Sequence, residues 1–216
     1  MSPLAAVLFD MDGTTVETES LWQRAEVTTM DWFKTPWTAV DMAHCTGSSM
    51  ATVAAYMAGK SGAAQQDISQ VLADTIEHLM TTEALPVQPG VVRLHDELVT
   101  AGIPIALVSN SWRTLMNLVL DATGLRFDVT VASDEVSAVK PDPEPYLFAC
   151  RALGVDPTAS VVLEDSRTGV ASAVAAGCGV VALLQNQQIE PAPRTLLVQD
   201  LSAVTLADLE RFAATC

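Results

Sequence analysis

Two carboxylates stand one residue apart in "LFDMDGTTVE", at Asp10 and Asp12, directly after an apolar run that begins at Leu4. A buried strand does not end in unpaired negative charge unless something positive is to meet it. Side chains two apart in an extended segment point the same way, so both carboxylates can face one cleft. Three other apolar runs also end in reactive groups. "IPIALVSN" closes on Ser109 and Asn110, with Ser111 and a helical pattern following. Hydroxyls and free backbone N–H groups at a helix start suit an anion. "VTVAS" leads to Lys140, set among prolines in "KPDPEPY", and "SVVLED" closes on Glu164 and Asp165. Carboxylates with no Cys or His beside them suit a hard cation such as Mg²⁺. Such an ion and a lysine together offset the charge of a phosphate, and a carboxylate beside the metal could attack phosphorus.

The elements that must position these groups follow from the apolar pattern. Continuous apolar runs at Leu4–Phe9, Ile103–Asn110, Val129–Ser133, Ser160–Asp165, Gly179–Leu184 and Thr195–Val198 read as strands. Runs of this kind suit a parallel sheet covered on both faces. Helical patterns lie between most of them. Val91, Leu94 and Leu98 trace one stripe, with Gly102 as its stop, and Leu115, Leu118 and Val119 trace another before Gly124. Ser166 can cap a helix that ends at Gly177. The alternation predicts an α/β fold with a Rossmann-like, doubly wound parallel sheet. In such sheets ligands bind outside the carboxyl ends of the strands, where the acids, hydroxyls and lysine all stand. About ninety residues separate the first strand from the second, too many for one crossover helix. Ile68, Val71, Leu72, Thr75, Ile76 and Leu79 mark one helical face there, and Leu21, Ala25 and Trp32 another. The expected organisation is a core of residues 1–15 and 86–216 with a helical domain inserted at 16–85.

Half of the 216 residues are apolar and 17% are charged, a globular composition. The formal charge of −15 argues against nucleic acid or an anionic membrane as partner. It also requires an anionic substrate to find its cations locally. "MSPLAAVLFDMDG" has no basic leader, and no stretch reaches membrane length unbroken, so a soluble cytoplasmic protein is expected. Cys45, Cys150, Cys178 and Cys216 are scattered without ligand spacing and read as reduced thiols. His78 and His95 sit in helical patterns and read as packing or surface residues. Arg113 and Arg167 read as helix-end charges. His44, before "CTGSS", and Trp22, just past the hinge, are open to a role at the cleft.

"DMDGT", "SN", "KPDPEPY" and "LEDSRTG", in this order and each after a strand, resemble the four signature segments of the haloacid dehalogenase superfamily. The long helical insertion resembles its helical-cap subgroup. The resemblance spans essentially the whole chain and implies a role for each matching position. Asp10 is then the nucleophile and a Mg²⁺ ligand. Asp12 is the general acid and base, its backbone carbonyl also binding the metal, and Thr14 helps to orient it. Ser109 and the N–H of Asn110 hold the phosphoryl oxygens. Lys140 neutralises charge on nucleophile and phosphate. Asp165 binds Mg²⁺ directly, and Glu164 assists the metal site through a water. The implied activity is hydrolysis of a small-molecule phosphate monoester, such as a sugar phosphate or phosphoglycolate, by a monomer. A true dehalogenase lacks the second aspartate, so Asp12 argues against one. A sugar-phosphate mutase of the beta-phosphoglucomutase type typically carries histidine where this chain has Trp22, and a basic residue in the loop where it reads "TGSSM". A non-enzymatic metal- or partner-binding member would be marked by loss of a motif residue, and none is lost.

Overall fold

The six apolar runs form one parallel sheet in the computed structural model, which describes residues 4–184 and 188–215. The strands are β1 (Ala6–Asp10), β2 (Ile105–Val108), β3 (Val129–Val131), β4 (Ser160–Glu164), β5 (Gly179–Leu183) and β6 (Thr195–Val198). Their order is β3-β2-β1-β4-β5-β6, every neighbouring pair parallel. The first strand is therefore central, and the chain winds outward from it in both directions. Every residue of β1, β2, β4 and β5 is buried, which is why these segments carry no polar alternation.

Four helices separate β1 from the rest of the core: α1 (Glu19–Trp32), α2 (Ala39–Cys45), α3 (Met50–Ser61) and α4 (Gln65–Thr82). The sheet is then covered by α5 (Val91–Ala101), α6 (Arg113–Thr123), α7 (Glu144–Leu153), α8 (Arg167–Ala175) and α9 (Leu206–Ala213). Alternate residues of β1 serve the two layers. Val7 and Phe9 join Val91, Leu94, Leu98 and Leu209 from α5 and α9. Leu8 joins Tyr146, Ala149, Val170 and Ala173 from α7 and α8. Each large, fully buried side chain contributes about 1.5–3 kcal/mol of transfer free energy.

The inserted helices enclose a third apolar cluster, built on Leu21, Ala25, Ile68, Leu72 and Ile76. Trp32 departs from expectation and is 71% exposed. Helical spacing gives the angle of a side chain about the axis, but not whether a partner extends as far as the last turn. The two crossings into and out of the insertion run side by side. Glu17 N–H donates to Pro86 O, Gln88 N–H to Thr15 O and the Gln88 amide to Gly13 O, each at 2.9 Å. Cys45, Cys150 and Cys178 are buried and free, and Cys216 lies outside the described residues. Among the described residues no helix is long and apolar enough to cross a membrane.

Candidate active site

The parallel register sets the carboxyl ends of β2, β1 and β4 next to one another, bringing together residues more than 150 positions apart in sequence. Asp10, the last residue of β1, is 7% exposed, and the Lys140 ammonium donates to its Oδ1 at 2.6 Å. The same ammonium donates to Glu164 Oε1 at 2.8 Å and to the Val108 carbonyl at 2.9 Å. Asn110 clamps the lysine's main chain, accepting from Lys140 N–H at 3.0 Å and donating to Lys140 O at 3.2 Å. Burial opposes the charge on Lys140, but the Asp10 and Glu164 carboxylates outweigh it and hold the ammonium above its ordinary pKa. Burial pushes the Asp10 carboxyl well up, Glu164, Asp165 and Asp12 add to this, and Lys140 works against it.

Glu164 is fully buried and accepts at both oxygens. Oε1 receives Lys140 and the Tyr146 hydroxyl, the latter at 3.0 Å. Oε2 receives the main-chain N–H and the hydroxyl of Ser166, both at 2.9 Å. The first turn of α8 makes room for it at Gly169, where a Cβ would stand 1.5 Å from Glu164 Oε1. Glutamate there is a carboxylate held in place, and what it holds is Lys140.

Asp10, Glu164 and Asp165 each offer a carboxylate oxygen within 4.8 Å of the others, all three buried. Three carboxylates around a single ammonium leave excess negative charge in a dry place, and burial of uncompensated charge is costly. The donor set is all oxygen, so the residues present fit a hard divalent cation.

Asp12 stands beside Asp10 but is held from different elements. Its Oδ1 accepts from the Thr18 hydroxyl at 2.7 Å and the Trp22 indole at 3.3 Å. Its Oδ2 accepts from the hydroxyls of Ser109 at 3.0 Å and Ser111 at 2.8 Å. Thr14, expected to orient Asp12, instead directs its hydroxyl to Asp165 Oδ1 at 3.3 Å. Gly13, at φ +83°, turns the chain between the two residues, so their side chains part.

A cleft runs from these residues to the inserted helices. Its core side includes Asp10, Asp12, Ser109, Lys140 and Asp165, and its far side includes Glu19, Trp22, Glu26 and the Thr46–Ser48 loop. The insertion is seated on the core by the Thr168 hydroxyl on Gly47 O at 2.6 Å and by the Trp112 indole on Glu77 at 2.9 Å. Trp22 and Trp112 meet edge to face, their ring centres 6.1 Å apart. His44 is turned away from the cleft and lies against Tyr56 at 4.4 Å, His78 is exposed, and His95 is bound to Arg126 O.

A model of the haloacid dehalogenase-like hydrolase family matches residues 7–183. The chain belongs to that family. It is 33% identical over 194 residues to protein CbbY of Rhodobacter capsulatus, covering 82% of this chain and 84% of the relative. To hexitol phosphatase A of Escherichia coli (strain K12) it is 34% identical over 182 residues, covering 82% and 81%. The crystal structure of CbbY from Rhodobacter sphaeroides in complex with phosphate superposes with a TM-score of 0.84 at 26% identity, over 95% of this chain and 99% of that one. The chain is thus a phosphatase-like hydrolase.

In this haloacid dehalogenase-like hydrolase several site residues escaped sequence reasoning. Tyr146 and Gly169 act through Glu164, and neither contact is encoded at a recognisable spacing. Thr18 sits six residues past Asp12, reached only because the chain turns back. Glu19 and Glu26 did carry a signal, since with Trp22 they fall three and four apart and so share one face of α1.

Proposed function

We propose that the protein is a Mg²⁺-dependent phosphatase that hydrolyses a small organic phosphate monoester through an aspartyl phosphate on Asp10. The observation that carries this reading is the buried Asp10–Lys140–Glu164 arrangement with Asp165 beside it. Lys140 holds Asp10 in place while keeping one carboxylate oxygen engaged, so the other is the one to attack. The attack forms an O–P bond to Asp10 and breaks the bond from phosphorus to the ester oxygen. Asp12 gives that leaving oxygen its proton and then takes one from the water that hydrolyses the acyl phosphate. Ser109 and the N–H of Asn110 receive the phosphoryl oxygens, the Ser109 hydroxyl leaving Asp12 to do so. Asp10, Asp165 and the Asp12 carbonyl would hold Mg²⁺ directly and Glu164 through a water, and when bound the ion supplies positive charge against the phosphoryl oxygens.

The helices of residues 16–85 act as a cap that admits substrate and then excludes bulk water. The protein works as a cytoplasmic monomer on a sugar phosphate, phosphoglycolate or similar metabolite, with no nucleic-acid or membrane partner. The phosphatase named among the relatives supports a sugar-derived ester. Hydrolysis is favoured over a mutase because Trp22 donates to Asp12 where mutases typically carry histidine, and because the cap loop brings no basic residue to the cleft.

The test is release of inorganic phosphate from a panel of small esters, with Mg²⁺ and with EDTA, by wild type and Asp10→Asn. Release should require the metal and fall by about a thousandfold or more in the variant. Comparable release by Asp10→Asn would remove Asp10 as the nucleophile.

A further inference from the structure

The far wall of the cleft is acidic. Glu26 is 5% exposed yet borders the cleft. Its Oε2 accepts from the Trp37 indole at 3.1 Å, and Oε1 has no hydrogen-bond partner among the described residues. Glu19, one helical face along, accepts from Thr46 at 2.8 Å and Gln23 at 3.1 Å through Oε1 alone. Among the described residues bordering the cleft, Lys140 is the only one with a basic side chain, and Asp10 and Glu164 already engage it.

A phosphate can be neutralised at the core end of this cleft, but nothing neutralises an anion at the other. A carboxylate with a free oxygen in a nearly dry wall accepts hydrogen bonds and repels negative charge. We propose that Glu26 and Glu19 select phosphate monoesters whose far end presents hydroxyl or ammonium donors, and reject those carrying a carboxylate or a second phosphate there. The inference deepens the phosphatase reading and rests on it, narrowing the substrate class to polyol, sugar and aminosugar monophosphates. Burial sets the pH at which this charge develops: desolvation raises the Glu26 carboxyl to about 7, with Trp37 lowering and Glu19 raising it. Its ionised form accepts from a hydroxyl or an ammonium and repels an anion, so the selection should be strongest above pH 7.

Matched esters test this. Glucitol 6-phosphate and 6-phosphogluconate differ only in the group at the carbon farthest from phosphate, as do fructose 6-phosphate and fructose 1,6-bisphosphate. Glucosamine 6-phosphate supplies the ammonium. Wild-type kcat/KM should favour the uncharged or cationic member of each comparison by about tenfold or more. Glu26→Gln keeps the shape but not the charge, and should shrink that preference about tenfold, chiefly through KM. Calorimetric binding of glucitol 6-phosphate and 6-phosphogluconate to Asp10→Asn gives the same comparison without turnover or a cap substitution. Equal affinity for the two, or a preference unchanged in both Glu26→Gln and Glu19→Gln, would overturn the selection. Phosphate release from none of these esters, with wild type still binding glucitol 6-phosphate more tightly than 6-phosphogluconate, would overturn the phosphatase reading while leaving the selection standing.

Discussion

At the scale of single residues, the site is organised by what holds Lys140. Its ammonium is shared between Asp10 and Glu164, and Glu164 has room for its position because Gly169 has no side chain. Gly169→Ala should push Glu164 aside and unseat the lysine. We expect kcat to fall by about a hundredfold, since displacements near 1 Å cost that much, with a thermal midpoint lowered by the overpacking. A near wild-type kcat in a folded variant would show that Glu164 does not position Lys140. Glu26 makes a different prediction. Its folded pKa, about 7, lies above the ordinary value of 4.5, so between those values the folded protein binds more protons than the unfolded chain. Stability from this group is therefore present below about pH 4.5 and lost as pH rises through 7. The loss is at most about 3–4 kcal/mol, at roughly 1.4 kcal/mol per unit. Urea unfolding at pH 5.5 and pH 8 should show wild type losing stability, and Glu26→Gln losing less.

At the scale of elements, α6 joins the candidate site to the inserted helices. The turn before it carries Ser109–Ser111, and its own stripe was readable as a buried face. The stripe serves two cores, however. Met116 and Val119 pack with the sheet, while Leu115 and, half-buried, Leu118 pack with the inserted helices. Periodicity identifies an apolar face but carries no information about which apolar surface it meets. Leu115 is fully buried in the cluster of the insertion, so Leu115→Ala should cost about 2–5 kcal/mol by denaturant unfolding. It should also raise KM more than it lowers kcat, because the cap loses part of its seat while Asp10 and Lys140 keep theirs. An unchanged KM would mean that this contact does not hold the cap in its working position.

At the scale of the whole molecule, the charge of −15 opposes every anionic substrate, while the attraction is confined to one buried corner. Salt screens the long-range repulsion between exposed charges more than it screens contacts inside a buried site. Raising ionic strength from about 10 mM to about 150 mM, where the screening length falls to roughly 8 Å, should therefore increase kcat/KM for a phosphate monoester. Stopped assays with a monovalent salt at constant free Mg²⁺ would check this. A steep fall would mean that exposed basic groups guide the substrate in.

Order along the chain was enough to place Asp10, Ser109, Lys140 and Asp165 at one sheet edge, because consecutive apolar runs joined by helices have few ways to form a parallel sheet. The strands, the long helical insertion and the acidic balance were legible for the same reason: each is a property of local composition and spacing. The partners of those residues were not. That Thr14 turns to Asp165, that Thr18 and Trp22 take Asp12, and that Glu164 accepts from Lys140, Tyr146 and Ser166 depend on where separate elements meet. Such contacts are fixed by packing between surfaces far apart in sequence. Only the tertiary structure decides them, and with them which acids gather in the buried cluster, which hold the lysine and which stand on the far wall of the cleft.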